Sequence, residues 1–444
     1  MYRETARLLL YDGLAGDSIL SALSDIFRDW SRDSCDKDFL ISRVYAQVRQ
    51  ILGLADSFGL DGNLWHAYLT WVLMNSCNPF TLSCERAATG ENSLSRFARE
   101  DFSVFHRLFH YDFSALERDL GIDCLSELCH YRAPARRTQI YNRDASRQIS
   151  VLSRALSSAE NAGDIFALMT AYYRQYGVGA FAVNRVFRLC TRPDQVDFTP
   201  LGDAGGVTLD ELAGCEMQKQ ALRRNTEAFL AGRPANNVLL YGDAGTGKST
   251  SVRALAGEYF GQGLRIIEVS QRTFAGLTAA AAQLRSRNYH FILLIDDLSF
   301  EENDPEYKFL KAAMEGGVDS WPENVLIYAT SNRRHLVRET WSDRTDMEHQ
   351  GDIHRSDTVE EKLSLAARFG VRIHYGAPSP REYLDIVREL AARRHLDIDE
   401  KQLLDRAKTW EVRNGSFSGR SARQLVRFLQ GDAQAIPAQT KKLF

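Results

Sequence analysis

The chain has 444 residues, of which 44% are hydrophobic and 25% charged, and its formal net charge at pH 7 is −3. This composition excludes a disordered or fibrous chain, and the length predicts about three domains. The small net charge does not predict nucleic-acid binding, and no apolar run approaches the roughly 18 residues that span a membrane. The start, MYRETARLLLYDG, lacks the features of a secretory signal, so we expect a cytoplasmic protein without a membrane partner.

Residues 1–190 predict a helical N-terminal domain. LWHAYLTWVLMN, residues 64–75, is apolar nearly all round and is typical of a helix buried in a bundle. FALMTAYYRQYG predicts a further helix that ends near Gly177. In SILSALSDIFRDW, one apolar stripe at helical spacing is formed by Ile19, Leu23, Ile26 and Trp30.

One close cysteine pair is the only sequence pattern in this region that resembles a metal site. CLSELCH, Cys124–His130, has a gap that some zinc sites use, but no second Cys/His pair follows. Irregular spacing of all seven cysteines favours free thiols in a reducing compartment.

A linker is predicted at residues 191–206, where CTRPDQVDFTPLGDAGG collects prolines and glycines with little apolar periodicity. Beyond it, short apolar runs alternate with helix-length segments, which predicts an α/β fold with a parallel sheet covered on both faces. These runs are NVLLYG (237–242), RIIEVS (265–270), HFILLIDD (290–297), NVLIYATSN (324–332) and VRIHYG (371–376).

After Pro380 the strand pattern stops, and REYLDIVRELAARRHL and EKQLLDRAKTWEV predict amphipathic helices. We therefore divide the remainder of the chain into an α/β core at 207–378, a helical lid at 379–435 and a C-terminal tail at 436–444.

LLYGDAGTGKSTSVRALA, Leu239–Ala256, contains the pattern G-x-x-x-x-G-K-[ST] between a predicted strand and a predicted helix. In that context the pattern predicts a phosphate-binding loop, because glycines let successive N–H groups face the phosphates at a helix N-terminus. Lys248 would reach the β- and γ-phosphates, and the Ser249 hydroxyl would ligate Mg²⁺. The predicted nucleotide-binding residues are Gly242, Asp243, Ala244, Gly245, Thr246, Gly247, Lys248, Ser249 and Thr250.

HFILLIDDLSF supplies carboxylates at the carboxyl end of a buried strand, beside the predicted loop. Asp296 would hold Mg²⁺ with Ser249. No guanine-reading Asn-Lys-x-Asp pattern occurs, so the predicted cofactors are ATP and Mg²⁺.

Together these motifs resemble those of the AAA+ ATPases over about residues 205–435, with particular similarity to a bacterial AAA+ family of unknown function through DDLSFEE and YATSNRRHL. The resemblance implies a P-loop NTPase core with a C-terminal helical lid. It also implies that Asn332 of IYATSN contacts the γ-phosphate and the attacking water. Arg368 of LAARFG would reach the nucleotide of a neighbouring subunit, and Arg423 of GRSARQL, with Arg420 as the alternative, would be the second sensor.

One position departs from the AAA+ pattern, in which Asp-Glu is usual and the glutamate polarises water. Here Asp297 occupies that position, and its shorter side chain leaves hydrolysis less securely predicted than ATP binding. Glu301 and Glu302 are alternatives, although SFEENDPE is more typical of a solvated acidic loop.

Three further segments allow two interpretations each. TFAGL, Thr273–Leu277, has the form of an AAA+ pore loop, but Phe274, Leu277 and Leu284 also fit an ordinary core stripe, which we favour. Tyr131–Arg147 is rich in arginine and tyrosine and could bind nucleic acid or be an exposed basic loop. Arg333–Lys362 is long and charged, and its histidines are too irregularly spaced for metal ligation.

The sequence thus predicts a cytoplasmic AAA+ ATPase, expected to form a homo-oligomer, that couples Mg²⁺-dependent ATP hydrolysis to remodelling of a protein partner it does not identify. Two alternatives remain open. One is a nucleic-acid-associated loader, suggested by Asp296–Asp297 and the arginine-rich segment, and the other is a nucleotide switch that does not hydrolyse ATP.

Overall fold

The computed structural model describes most of the chain. The described residues are 1–11, 18–32, 35–86, 92–133, 142–192, 195–202, 208–299, 306–315, 321–332, 365, 367–414 and 417–434. The chain divides into two compact units, the first formed by Met1–Arg185 with Pro200–Ala204 and the second by Val186–Thr199 with Gly205–Phe444.

The first unit is helical, as the sequence predicts. None of the helices in the described part of the chain has the length and hydropathy that crossing a membrane requires. The helices of this unit are α1 Tyr2–Thr5, α2 Ile19–Ser31, α3 Lys37–Phe58, α4 Leu64–Asn75, α5 Pro79–Arg86, α6 Ser93–Phe109, α7 Ser114–Leu120, α8 Cys124–Leu128, α9 Arg143–Ser157, α10 Ala162–Tyr176 and α11 Ala180–Val183.

Helix α4 lies in the core of this unit because nine of its twelve residues are buried. The indole of Trp65 is buried with its N–H donating to the Leu108 carbonyl at 2.8 Å. Helix α10 ends at Gly177, as predicted. In α2, Leu23 and Ile26 are fully buried as predicted, and the other buried residues, in place of Ile19 and Trp30, are Leu20 and Phe27.

The second unit contains a seven-stranded sheet in the order β2-β1-β4-β5-β6-β3-β7. From β1 to β7 all the neighbouring pairs are parallel. The five predicted strands are present within one or two residues of their predicted ends. The strands are β1 Val186–Arg192, β2 Gln195–Pro200, β3 Val238–Gly242, β4 Leu264–Val269, β5 His290–Ile295, β6 Val325–Ser331 and β7 Val371–Tyr375.

Strands β1 and β2 correct the predicted linker at 191–206. Only two residues separate them, too few for the crossover that a parallel pair needs, so they form an antiparallel hairpin. Strand β1 pairs with β4, with Val186 opposite Ile266. The prolines and glycines of this segment indicated a linker, although Val196 is buried within β2 next to the exposed Gln195.

Helices pack against the sheet of the second unit, and three further helices form its C-terminal region. Phe274, Leu277 and Leu284 are buried, which supports the core interpretation of TFAGL over the pore loop. Three helices near the end of the chain share a small core that includes Tyr383, Leu403 and Leu425. The helices of this unit are α12 Glu216–Leu230, α13 Lys248–Tyr259, α14 Leu277–Arg285, α15 Glu306–Glu315, α16 Pro380–Arg393, α17 Glu400–Asn414 and α18 Gly419–Gln434.

Candidate functional site

The candidate site lies at the carboxyl ends of three neighbouring strands, β5, β6 and β3. Parallel strands end at the same edge of a sheet, so the residues that follow them meet there. Asp296 and Asp297 follow β5, Asn332 follows β6, and the glycine-rich loop follows β3. The sheet therefore brings together the three motifs that the sequence predicts to act on one ligand.

Glycine is required at the first position of the loop. Gly242 has φ +129°, and a Cβ atom there would lie 2.2 Å from the backbone oxygen of Tyr375 on β7. The loop then passes through Gly245 at φ +78° and reaches Gly247 at φ +104°, which is the N-cap of α13. This backbone leads directly into a helix N-terminus, the arrangement in which N–H groups can face phosphate oxygens.

Lys248 is buried, with 6% of its surface exposed, and its ammonium group lies at the loop. It donates to the carbonyl oxygens of Gly242 at 2.8 Å and Asp243 at 2.7 Å, and to Asn332 Oδ1 at 2.9 Å. Burial lowers the pKa of Lys248, while nearby carboxylates, including Asp297, act in the opposite direction.

Asp296 receives hydrogen bonds on both carboxylate oxygens. Oδ1 accepts from the hydroxyls of Ser249 and of Thr330, the latter at 2.6 Å, and Oδ2 accepts from Arg253 Nη2 at 3.2 Å. Burial alone would raise the pKa of this carboxyl. The hydrogen bonds from Ser249 and Thr330 and the charge of Arg253 outweigh it, so the pKa lies below its ordinary value. Asp296 is therefore an anion held in one orientation.

Asp297 adopts a left-handed backbone conformation, with φ +55°. This conformation is uncommon outside glycine but is accessible to aspartate. Its N–H donates to Thr330 Oγ1 at 3.0 Å, and its Oδ1 accepts from Asn332 Nδ2 at 2.7 Å. The turn after β5 thus directs the two adjacent carboxylates to different partners.

A cavity of about 550 Å³ joins these residues to the C-terminal helices. The start of α18 is fastened to the loop, because the Arg420 N–H donates to the Gly245 carbonyl at 3.1 Å. Burial and the adjacent guanidinium groups of Arg427 and Arg420 lower the pKa of Arg423. The side chains of α18 that line the cavity lie on one helix face, and they are Arg420, Arg423, Gln424 and Arg427.

Nearly all the predicted site residues meet at this cavity. Lining it are Ala244, Gly245, Gly247, Lys248, Ser249, Thr250, Asp296, Asp297, Asn332, Arg420 and Arg423. Gly242, Asp243 and Thr246 do not line it and instead shape the loop. Asp243 Oδ2 accepts from the Ala377 N–H at 2.8 Å, and its carbonyl accepts from the Thr246 hydroxyl at 2.9 Å.

Arg368 lies away from this cavity. It is exposed and lines a second cavity, of about 700 Å³, together with Asn237 and Asn324, which precede β3 and β6. These residues mark the amino ends of the strands, and five residues of β3 separate the two ends by roughly 16 Å. Arg368 therefore does not contribute to the phosphate-loop cavity of its own chain.

Five residues of the site were not predicted: Thr330, Arg253, Glu268, Gln424 and Arg427. Thr330 contacts both Asp296 and the Asp297 backbone, and period-two spacing from Asn332 on β6 was a usable signal for it. Arg253 lies four residues after Ser249 on α13, hence on the same helix face. Glu268, on β4, binds Arg253 through a contact between distant segments, for which the sequence carries no local signal.

Several sequence predictions lie partly or wholly outside the described residues. These are Glu301 and Glu302, the segment 333–362 and positions 134–141 of the arginine-rich segment. Among the residues that the structure does describe, no group of three or more His, Cys, Asp or Glu side chains is placed to hold a metal ion. Burial raises the pKa of Cys124 to about 11 and also raises that of Cys129.

We predict that Thr330→Val destabilises the second unit. Thr330 is 1% exposed, and valine removes the donor to Asp296 and the acceptor for the Asp297 N–H. Leaving such groups unpaired costs about 1–3 kcal/mol of unfolding free energy. Differential scanning calorimetry should show a lower Tm at pH 7, by about 2–4 °C for each kcal/mol.

The stability deficit of Thr330→Val should change with pH in one direction. The folded-state pKa of Asp296 is lowered, so its contribution to stability is present above its ordinary pKa of about 4 and is lost as the pH falls further. The deficit of Thr330→Val should therefore shrink below pH 4. Thr330→Ser keeps the hydroxyl and is the control. Equal Tm values for the valine variant and the wild type would contradict this account.

Among known proteins, the similarity of this chain extends to one family profile and to a set of solved structures. The profile of DUF815, a family described as a protein of unknown function, matches residues 183–433, more than half of the chain. A search of curated proteins found no match.

Solved structures similar to this chain include two Thermotoga maritima RuvB mutants and the T. maritima RuvB Holliday junction branch migration motor. The identities are 18%, 20% and 18%, and the TM-scores are 0.37, 0.36 and 0.36. Each alignment covers 51% of this chain and 65%, 66% and 66% of the respective RuvB chain, slightly less than two thirds of its length. The chain belongs to the DUF815 family, whose profile spans the second unit with its seven-stranded sheet and glycine-rich loop.

Proposed function

We propose that this protein is an ATPase that couples Mg²⁺-dependent ATP hydrolysis to remodelling of a macromolecular partner. The observation that carries the proposal is the common cavity of the phosphate-binding loop, Asp296, Asp297 and Asn332. A glycine-rich loop alone would suit many phosphate ligands. Its position beside two carboxylates and an amide at one sheet edge suits hydrolysis of a nucleoside triphosphate.

The cavity suits ATP in size and in charge. Its volume of about 550 Å³ lies within the range of about 300–1,000 Å³ that is usual for small-molecule sites. Lys248, Arg420, Arg423 and Arg427 present positive charge to it. Within the described part of the chain, the three arginines of α18 have no carboxylate partner. A polyphosphate chain would relieve the repulsion among these guanidinium groups.

The donor atoms at Ser249 and Asp296 also suit Mg²⁺. Both are oxygens, which hard cations prefer, and Mg²⁺ is usually bound through one or two protein groups plus substrate phosphates. The low pKa of Asp296 keeps its carboxylate ionised. When bound, Mg²⁺ would neutralise charge on the β- and γ-phosphate oxygens.

Asp297 and Asn332 are the residues we assign to orienting the attacking water. Asn332 lies between Lys248 and Asp297, with hydrogen bonds to both. It can therefore link the position of the γ-phosphate to the position of the water. A second candidate function, a nucleotide switch without hydrolysis, is favoured by the short Asp297 side chain and its existing bond to Asn332.

The assembly and partner belong to the same proposal. Arg368 is exposed at the amino end of the strands, and its proposed action on the nucleotide of another subunit would require a homo-oligomer. The helical first unit is our candidate for holding a protein partner. Nucleic acid remains the alternative partner, and the seven cysteines, all within the described residues, form no disulfide, in keeping with a reducing cytoplasm.

We predict that Lys248→Ala abolishes or severely weakens ATP binding, because the phosphates lose a cation at the loop. ATP should raise the Tm of the wild type, since a ligand that binds the native state stabilises it. At 100 times the dissociation constant this stabilisation is about 2.7 kcal/mol. Lys401→Ala, which removes an exposed lysine of α17, is the control. The same ATP-induced Tm shift in Lys248→Ala would remove the phosphate-loop assignment.

Asp297→Asn should bind ATP with nearly wild-type affinity but release phosphate about 10²–10⁴-fold more slowly, the usual contribution of a positioned base. Binding is measured by the Tm shift and turnover by phosphate release. Asp385→Asn, on the exposed side of α16, is the control. Equal turnover in the wild type and Asp297→Asn would show that Asp297 is not the base. Wild-type protein that binds ATP without releasing phosphate at any concentration would favour the switch.

Arg368→Ala should bind ATP normally yet lose about 10³–10⁵-fold in turnover, the contribution of an arginine acting on a neighbour's nucleotide. A role confined to its own helix end would be worth only about 0.3–1 kcal/mol. Mixing Arg368→Ala with Lys248→Ala should restore part of the activity, because one interface then pairs an intact loop with an intact arginine. Arg381→Ala, another exposed arginine, is the control. An active Arg368→Ala with turnover independent of protein concentration would contradict the oligomer.

A further inference from the structure

We propose that Arg253 is a positioning residue that orients the Asp296 carboxylate for Mg²⁺, and that Glu268 holds Arg253 back so that its charge does not exclude the cation. The inference rests on the proposed function, since it assigns the two residues to the Mg²⁺–nucleotide site. Neither residue belongs to the phosphate-binding loop or to the strand end that carries Asp296.

Helix α13 contributes two groups to the same carboxylate. Ser249 and Arg253 are four residues apart and therefore lie on one face of the helix. The Ser249 hydroxyl donates to Asp296 Oδ1, and the Arg253 guanidinium donates to Asp296 Oδ2 at 3.2 Å. With Thr330 as a third donor, the carboxylate plane is held from three directions. Loss of Arg253 would leave Oδ2 without a donor among the described residues and free the carboxylate to rotate about its last bond.

The guanidinium is shared unequally between two carboxylates. Arg253 Nε donates to Glu268 Oε1 at 2.6 Å, whereas its Nη2 lies 3.2 Å from Asp296 Oδ2. The shorter contact is typical of a strong charge-assisted hydrogen bond, and the longer one is weak. Glu268 on β4 is thus the main partner of Arg253. The Asp296 carboxylate therefore remains able to coordinate another cation.

The unequal sharing of the Arg253 guanidinium matters for cation binding at Asp296. A guanidinium fully paired with Asp296 would place a positive charge beside the position that we assign to Mg²⁺, and the two cations would repel each other. The ion pair of Arg253 with Glu268 carries no net charge. The exposed fractions of Arg253, Glu268 and Asp296 are 32%, 21% and 42%, so screening by water is incomplete. Arg253 can therefore orient Asp296 while adding little net charge.

The forked geometry also occurs away from the site, so the position of Arg253 at the cavity is what distinguishes it. Arg223, also in the second unit, divides its guanidinium between Glu258 and Asp210 in the same manner but does not line the phosphate-loop cavity. Arg253 does line it. Arg223→Gln is therefore a matched control that breaks an equivalent forked ion pair away from the site.

The test measures the Mg²⁺ dependence of nucleotide affinity, not turnover. A fluorescent ATP analogue is titrated into the full-length protein without Mg²⁺, and then at increasing Mg²⁺ concentrations. Arg253→Gln should raise the Mg²⁺ concentration at half-maximal effect by about 10–100-fold, the usual cost of losing a group that orients a metal ligand. Its affinity for the analogue without Mg²⁺ should stay within about twofold of wild type, since Arg253 acts through Asp296.

Two further variants sharpen the result. Glu268→Gln should also raise the Mg²⁺ requirement, because Arg253 would then pair fully with Asp296. In the Arg253→Gln background, Glu268→Gln should have no further effect on the Mg²⁺ requirement, because Glu268 acts through Arg253. Arg253→Lys keeps the charge without the planar fork and should lie between wild type and Arg253→Gln.

The outcomes separate this inference from the proposed function. A wild type that fails to bind the analogue with or without Mg²⁺ would overturn the proposed function itself. Mg²⁺-dependent binding in the wild type with the same Mg²⁺ curve in Arg253→Gln and Glu268→Gln would overturn only the role of Arg253. Equal weakening of Arg253→Gln with and without Mg²⁺ would do the same, because it would mean direct contact with the nucleotide. If Arg253→Gln does not fold, Arg253→Lys and Glu268→Gln decide.

Discussion

The parallel pairing of β5, β6 and β3 is the constraint on which the candidate site depends. It places the ends of three strands side by side, so that Asp296, Thr330 and the loop after Gly242 meet without any long-range rearrangement. The fit at β7 is equally strict, because the loop passes so close to Tyr375 that no side chain can be placed at Gly242. The helix and the carboxylates are thus oriented by the sheet itself.

Charge on the two sides of the cavity is arranged in a complementary way. The sheet contributes Asp296 and Asp297, whereas α18 contributes a row of arginines from the opposite side. Arg420 and Arg427, at the two ends of this row, are seven positions apart in sequence and therefore about 10 Å apart along the helix. One end of this helix is bonded to the loop at Gly245. An anion bound in the cavity would therefore contact both the residues at the sheet edge and those of the C-terminal helices.

How much was predictable follows from the range of each interaction. The five strands from β3 to β7 and the loop were predictable because their signals are local: apolar runs, glycine spacing and a terminal Asp-Asp. The β1–β2 hairpin was missed because its prolines and glycines are typical of a linker. Arg253 and Glu268 were missed because their contact joins α13 to β4, and only the folded chain brings them together. Resemblance to a family supplied Arg368 and Arg423, which spacing alone would not have singled out.

The hairpin has a consequence for any shortened form of this protein. Strand β4 is almost wholly buried, four of its six residues are apolar, and β1 occupies its outer side. The edge of the sheet is instead β2, a short strand that carries Asp197 and ends at Pro200, which has no N–H to offer. Exposed apolar edges are templates for aggregation, and charge and proline suppress it. A fragment that begins at residue 207 would leave β4 as a bare edge, so a fragment of the second unit that resists aggregation should begin before Val186.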